Sequence, residues 1–227
     1  MVTHPADPGT PALMRQHPKH SDANTAIAVR KTDGNPEGKG LNGLLLDVRR
    51  SEPKGVVAKP NRQVLAELFT SMLILSASFK YRPAVGAANY LYWRDGQWSL
   101  SLIAPGEWTD ERRAAFAGTC VLQPDMTWTI APSRLLKERG NPVADALTRF
   151  YEGFARMLDT DLPLEDILPF HLGKLPYFQR LYANALSRST LAALTLGGQT
   201  SMSTRRWSML LPQRESQLLV SGSSAAC

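Results

Sequence analysis

The chain of 227 residues is 43% hydrophobic and 20% charged and carries a formal charge of +6, a length that supports one domain with extensions. Between residues 61 and 199, fourteen basic residues are balanced by thirteen acidic ones. The predicted folded part therefore lacks the concentrated positive face of a typical nucleic-acid-binding protein. Two cysteines, Cys120 and Cys227, are too few and too far apart for a disulfide scaffold or a metal spacing, which favours a reducing compartment.

The first 40 residues are rich in Pro, Gly and polar side chains. Such a segment cannot bury enough apolar surface to offset its ordering entropy, so we predict a disordered N-terminal tail over residues 1–40. It has no apolar core behind a positive region, and we therefore expect no secretory signal. Because the chain also has no run of about 18 apolar residues, we expect no membrane span and a cytoplasmic location.

A helix is predicted to begin with Asn61 as its N-cap and to end near Ser78, because Asn is a good N-cap and apolar residues recur there at helical spacing. Two aromatic and aliphatic runs follow, Ala88–Arg94 and Gln97–Ile103. They are joined by Asp95-Gly96, a dipeptide that suits a two-residue type I′ turn because both turn positions need a positive φ. The sequence therefore predicts a β-hairpin.

The turn also predicts the register of the hairpin, because it pairs Arg94 with Gln97. Side chains then alternate between the two faces of the hairpin. One face carries Leu91, Trp93, Trp98, Leu100 and Leu102, and the other carries Tyr90, Tyr92, Arg94, Ser99 and Ser101. We expect the face with Trp and Leu to form the core.

Two more strands are predicted, Ala117–Leu122 and Thr127–Ile130, completing a four-stranded antiparallel β-meander over residues 87–131. The apolar period then changes to 3.6, which predicts C-terminal helices over residues 141–197. Asn141-Pro142 predicts the start of the first of these, as a cap followed by proline at the first helical position. We therefore predict an α+β fold in which the meander packs with an N-terminal helix and two or three C-terminal helices. This single domain would span residues 41–199, followed by a mostly flexible tail over residues 200–227. Within that tail, apolar residues could pack back on the domain: Trp207, Met209, Leu210 and Leu211.

A family pattern is visible between Phe79 and Trp128. It comprises Pro83, Gly86, Tyr90-Leu91-Tyr92, Asp95-Gly96, the run from Leu100 to Pro105, Glu107-Trp108, Phe116, Gly118, Leu122, Asp125 and Thr127-Trp128. The segment resembles the DUF2452 family of uncharacterised proteins, and Asn35-Pro36 with Gly38-Lys39-Gly40 extends the resemblance to about residues 35–132. Thr109 stands where members usually have Gly. The resemblance implies no activity, because the family carries no known one.

The strongest binding candidates lie on the predicted outward face of the hairpin, where Tyr90 and Tyr92 stand beside Arg94. Tyrosines can anchor a protein partner or stack on bases, and an arginine offers a fork of donors to a phosphate or carboxylate. The alternative is that the C-terminal helices cover this face and the tyrosine hydroxyls are satisfied locally, since three apolar helix stripes must be buried somewhere and a sheet has only two faces.

A second candidate is the loop after the hairpin, where Glu107 and Trp108 precede Arg112 and Arg113. These residues could form the rim of a pocket. A structural role is the alternative, with Trp108 closing the end of the sheet and Glu107 pairing with an arginine.

Other residues give weaker signals for chemistry. His171 stands alone without a nucleophile, and the segment Gly34–Gly40 departs from the phosphate-loop pattern. The acidic pairs Asp159/Asp161 and Glu165/Asp166 flank Pro163 at a helix junction, where acids commonly complement a helix start. We therefore predict no catalytic residues, no metal site and no cofactor.

The sequence favours a non-enzymatic module that binds a protein or small-molecule partner through the tyrosine face or the Glu107-Trp108 loop. The alternative is association with single-stranded nucleic acid, with the basic tails contacting phosphates and the tyrosines stacking on bases. Nucleic acid has weaker support because the predicted folded part is nearly neutral.

Overall fold

A computed structural model describes residues 39–169 and 175–221. His171, Cys227 and most of the predicted N-terminal tail lie outside these ranges. The chain divides into two compact units, Met1–Leu46 and Asp47–Cys227. In the first unit, the described residues are the opening turns of helix α1 (Lys39–Arg50). The second unit contains the sheet and the remaining helices that the structure describes.

The second unit contains a four-stranded antiparallel sheet of β1 (Ala88–Arg94), β2 (Gln97–Ser101), β3 (Phe116–Leu122) and β4 (Trp128–Pro132). The predicted α+β class and antiparallel sheet are thus confirmed. The strand order is β2-β1-β3-β4, which differs from the sequential order of the predicted meander. β2 and β3 pair with opposite edges of β1 and run parallel to each other. The connection over residues 102–115 therefore crosses the face of the sheet that carries Tyr92.

The hairpin has the predicted turn and register. Asp95 and Gly96 have φ values of 53° and 74°, as a type I′ turn requires. Arg94 pairs with Gln97 and Trp93 with Trp98. The prediction for Leu102 was wrong, because β2 ends at Ser101 and the Leu102 side chain is 59% exposed.

Helices cover the face of the sheet that carries Trp and Leu. The helices that follow α1 are α2 (Asn61–Leu75), α3 (Asp110–Ala114), α4 (Pro142–Met157), α5 (Tyr177–Leu196) and α6 (Thr204–Ser208). The short α3 follows the hairpin and does not cover this face. Short 3-10 turns are Pro105–Glu107, Arg134–Lys137, Leu164–Ile167 and Glu215–Leu218. Leu91, Trp98 and Leu100 share one buried cluster with apolar side chains of α2, α4 and α5. The long helices begin and end within a few residues of the predicted positions.

Phe69 of α2 anchors α4, because its ring makes edge contacts with Phe150 and Phe154 at centroid distances of 5.4 and 5.2 Å. The N-terminus of α4 is capped as predicted, since the Asn141 side chain accepts a hydrogen bond from the Val143 backbone at 2.9 Å. The predicted N-cap role of Asn61 was wrong, because Asn61 is the first helical residue and Pro60 precedes it.

A β-bulge on β3 sets what lies opposite the tyrosines. Leu91 pairs with Gly118, whereas Tyr92 pairs with Phe116, so the register skips Ala117. Because directly paired side chains share a face, Phe116 lies on the tyrosine face. Its ring centroid is 5.6 Å from that of Tyr92.

Backbone hydrogen bonds from neighbouring segments cover both outer edges of the sheet. On β2, Ser78 donates to Trp98 at 2.9 Å and accepts from Leu100 at 3.1 Å. On β4, Ile130 donates to the carbonyl of Val220 at 2.8 Å. Both segments satisfy edge groups that would otherwise be available to another chain.

The C-terminal segment that the structure describes is packed against the domain, in contrast to the expected tail. Trp207 of α6 is fully buried, and Leu218 is 3% exposed. The Thr70 hydroxyl donates to the Leu218 carbonyl at 2.9 Å and accepts from Val220 at 3.0 Å. Residues 200–221 therefore contribute to the core.

A buried ion cluster joins the segment before α2 to the turn between β3 and β4. Lys59 Nζ lies 2.6 Å from Glu67 Oε2 and 2.7 Å from Asp125 Oδ2. Burial lowers the pKa of Lys59, but hydrogen bonds to Asp125 and Glu67 outweigh it and the pKa is raised. Burial likewise opposes the charge of Asp125, yet hydrogen bonds from Lys59 and Thr127 lower its pKa. Both groups therefore stay charged at neutral pH.

None of the helices within residues 39–169 and 175–221 is both long and apolar enough to cross a bilayer.

Candidate binding cleft

The tyrosine face of the sheet is covered locally by the connection between β2 and β3, and not by the C-terminal helices. Tyr92 is 5% exposed and its ring makes an edge contact with Trp108 at a centroid distance of 6.5 Å. Its hydroxyl donates to the Ile103 carbonyl at 2.9 Å. Tyr90 is half-buried, and its ring lies 6.4 Å from that of Phe116.

Burial raises the pKa of Tyr92. The phenol is therefore neutral at physiological pH and remains a hydrogen-bond donor to Ile103. Its ring and its hydroxyl are both engaged within the fold. Tyr92 thus forms the floor of a site and does not present an open stacking surface.

The connection between β2 and β3 is held in place by its own polar groups. The Glu107 carboxylate accepts a hydrogen bond from the Ala104 backbone at 3.2 Å. The Arg113 side chain donates to the carbonyls of Pro105 and Trp108 at 3.3 and 3.2 Å. Glu107 therefore stabilises the 3-10 turn, whereas the sequence alternative paired it with an arginine.

Arg112 stacks on the indole of Trp108. Its guanidinium carbon lies 4.1 Å from the centroid of the Trp108 ring, within the range of a cation–π interaction. Among the described residues, no carboxylate lies within ion-pair distance of Arg112. The guanidinium is thus oriented by the indole and keeps its donors available.

Arg94 approaches the same region from the end of β1. Its Nε atom lies 3.1 Å from Asp95 Oδ2, and the two side chains are 50% and 75% exposed. An ion pair with this exposure is weak, because water competes for both groups. Arg94 can therefore turn towards a ligand at little cost.

These side chains form a cleft of about 180 Å³, which we call the arginine cleft. It is lined by Tyr92, Arg94, Ser99, Leu100, Ser101, Trp108, Arg112 and Ala115. Four of the predicted binding residues therefore come together in it: Tyr92, Arg94, Trp108 and Arg112. Tyr90 and Glu107, which were also predicted, do not line it.

The described residues that line the cleft supply hydrogen-bond donors and no negative charge. Arg94 and Arg112 contribute guanidinium groups, and Ser99 and Ser101 contribute hydroxyls. The Ser101 oxygen accepts from the Ile103 backbone at 3.0 Å, which leaves its hydroxyl hydrogen free to donate. The cleft is therefore matched to a ligand that accepts hydrogen bonds and carries negative charge.

One comparison with known proteins finds a family model that matches the segment containing the cleft. Residues 56–146 match the DUF2452 family, whose description is a protein of unknown function. The match confirms the resemblance over a segment and includes every residue that lines the arginine cleft. No curated protein and no solved structure matches the chain.

Outside the cleft, the DUF2452 segment also contains Cys120. Its side chain is fully buried, and burial raises the pKa of the thiol well above its usual range, so the thiol is a packing group.

After that segment, the acidic residues near Pro163 are dispersed into separate contacts. Glu165 accepts from the Ser201 backbone at 2.6 Å, and Asp161 lies 3.4 Å from Arg205.

Within the described part of the chain, no group of three or more His, Cys, Asp or Glu side chains is arranged to hold a metal ion.

The sequence signals for the cleft were incomplete. The type I′ turn placed Arg94, Ser99 and Tyr92 on one face. Nothing local indicated that Trp108 would fold back over Tyr92 or that Arg112 would stack on it. The spacing of Trp108 and Arg112, four residues apart, was the one available signal.

Proposed function

We propose that the protein is a binding module that captures an anionic group of a protein or small-molecule partner in the arginine cleft. The observation that carries this proposal is the convergence of Arg94 and Arg112 on one small cleft, whose lining within the described ranges includes no carboxylate. Guanidinium groups bind carboxylates and phosphates through paired, charge-assisted hydrogen bonds.

The stacking of Arg112 on Trp108 supports binding for an entropic reason. A free arginine side chain loses about 2 kcal/mol of rotamer entropy when it is immobilised. The indole already restricts the guanidinium at 4.1 Å, so part of this cost has been met during folding. The same contact leaves the edge of the guanidinium, which carries its N–H groups, free to meet an anion.

The chemistry of the lining supports binding and gives no support to catalysis. Among the described residues, those that line the cleft include no Cys, His, Asp or Glu. An anion bound there would meet hydrogen-bond donors but no general base and no activated nucleophile. The proposal is therefore of a non-enzymatic function.

The geometry favours this proposal over single-stranded nucleic acid as the ligand. Base stacking needs an aromatic face that is open to the ligand. The Tyr92 ring is almost completely buried, and Arg112 already lies over Trp108. We further propose a cytoplasmic location, which the presence of only two cysteines supports.

A titration with sodium acetate, followed by NMR of the ¹⁵N-labelled full chain at constant ionic strength, tests the proposal. We expect saturable shifts of the Trp108 indole N–H and of the Arg94 and Arg112 side-chain N–H signals. The variants Arg94→Gln and Arg112→Gln should each weaken acetate binding by at least fivefold, because each removes charge-assisted hydrogen bonds.

Arg134→Gln is the matched control, since Arg134 is exposed and lies outside the cleft. It removes the same charge and should leave acetate binding unchanged. Shifts that never saturate, or equal losses for Arg112→Gln and Arg134→Gln, would contradict the proposal, because both outcomes indicate a non-specific charge effect.

A further inference from the structure

Two exposed apolar residues follow directly after a cleft-lining residue in the chain. Leu102 and Ile103 come after the end of β2 and are 59% and 40% exposed. The backbone of this segment meets the cleft, because Ser101 lines it and the Ile103 carbonyl accepts a hydrogen bond from the Tyr92 hydroxyl. We call this pair the apolar rim. A partner that covers the rim would bury apolar surface, which favours association.

The size of the arginine cleft limits what can enter it. Sites for drug-sized ligands commonly measure about 300–1,000 Å³, whereas this cleft measures about 180 Å³. It has room for one side chain or a small ion. A partner that buries the apolar rim as well must therefore extend beyond the cleft.

The charge of the cleft indicates which anionic group fits. Arg94 and Arg112 bring two positive charges to the cleft, and Asp95, 3.1 Å from Arg94, places one negative charge beside it. Among the described residues, no carboxylate pairs with Arg112. About one positive charge is thus left uncompensated. A carboxylate, with a single negative charge, matches this balance, whereas a phosphate ester carries about −1.5 to −2.

We propose that the occupant is a segment of another protein, with an Asp or Glu side chain in the arginine cleft and a neighbouring apolar side chain on Leu102 and Ile103. This inference rests on the proposed function and specifies its partner. The residues involved are of the kinds that dominate protein interfaces, since Arg, Trp and Tyr are enriched among the residues that contribute most to binding.

Synthetic peptides test the inference on the full chain. The probe is the capped peptide Gly-Leu-Glu-Leu-Gly, compared with Gly-Leu-Gln-Leu-Gly, Gly-Ser-Glu-Ser-Gly and Gly-Leu-phosphoSer-Leu-Gly. Binding is followed by NMR at the Trp108 indole signal, with sodium acetate as the reference ligand. We expect the Leu-Glu-Leu peptide to bind at least tenfold more tightly than acetate and than each of the other three peptides.

Substitutions in the apolar rim separate the two parts of the site. Leu102→Ser should weaken binding of the Leu-Glu-Leu peptide by about fivefold to tenfold. It should leave acetate binding unchanged, because acetate does not reach the rim. Leu196→Ser is the matched control, since Leu196 is 60% exposed on α5. It should change neither affinity.

The outcomes distinguish the inference from the proposed function. If acetate saturates the cleft but the peptide binds no more tightly, or Leu102→Ser has no effect, the protein-segment inference is overturned and the anion site stands. Tighter binding of the phosphoSer peptide overturns the choice of a carboxylate. If neither acetate nor any peptide shifts the Trp108 signal, both proposals are overturned.

Discussion

The buried ion cluster around Lys59 gives the sharpest prediction about stability. In Lys59→Met, Glu67 and Asp125 would face each other without a cation, and their side chains are only 12% and 15% exposed. Removing one partner from a buried ion pair costs about 3–5 kcal/mol, because the remaining charge is desolvated and unpaired. We expect a loss of this size in the free energy of unfolding. It is a large fraction of the 5–15 kcal/mol that typically stabilises a domain.

The measurement is urea denaturation of the wild type and the variant at pH 7, compared at a common m-value. Arg188→Met is the matched control. It removes a cation whose ion pair with Glu52 spans 3.4 Å between side chains that are 41% and 59% exposed. That change should cost no more than about 1 kcal/mol. Equal losses for the two variants would refute the view that Lys59 neutralises a desolvated pair.

Three further predictions concern other parts of the fold. Gly118→Ala should cost about 1–3 kcal/mol in urea denaturation, because a Cβ there would lie 2.7 Å from the Ala131 carbonyl oxygen; an unchanged midpoint would show that β4 can move away. Asn141→Ala should cost about 1 kcal/mol through loss of the cap on α4, and Asn141→Ser should restore most of it. The lowered pKa of Asp125 predicts a contribution to stability that is complete above about pH 3.8 and lost as the pH falls through the folded-state pKa. Denaturation curves from pH 7 to pH 2 should show less acid sensitivity in Asp125→Asn than in the wild type.

Local chemistry explains why the hairpin could be predicted in detail. A type I′ turn needs a positive φ at two consecutive positions, and Asp-Gly is one of the few dipeptides that adopt this conformation readily. Once the turn is set, the pairing of Trp93 with Trp98 follows from the two-residue period of a strand. The start of α4 could be predicted for the same reason, because Asn141 and Pro142 act through contacts within one turn of helix.

Features that depend on distant contacts could not be predicted in the same way. Lys59 meets Asp125 across 66 positions of sequence, and no pattern near either residue signals the pair. The bulge opposite Tyr92 is a feature of how β3 pairs with β1. That pairing is not visible in the β3 segment alone, so the position of Phe116 beside the tyrosines was missed.

The candidate cleft was predicted in part, for the same reason. The hairpin register brought Tyr92 and Arg94 to one face, but the tyrosine face was expected to be either open or covered by helices. It is instead covered by the connection that carries Trp108 and Arg112. The path of that connection depends on the side-chain contacts of Arg113 with the Pro105 and Trp108 carbonyls, which no periodic pattern encodes.

The central claim is that the arginine cleft binds a carboxylate, and locating a bound carboxylate tests it most directly. Crystals of the full chain grown with 4-bromobenzoate would mark the ligand by the anomalous scattering of bromine. We expect a bromine peak at the cleft, with the carboxylate within about 3.2 Å of guanidinium nitrogens of Arg94 and Arg112. A bromine peak elsewhere with an empty cleft, or a carboxylate that contacts neither arginine, would contradict it.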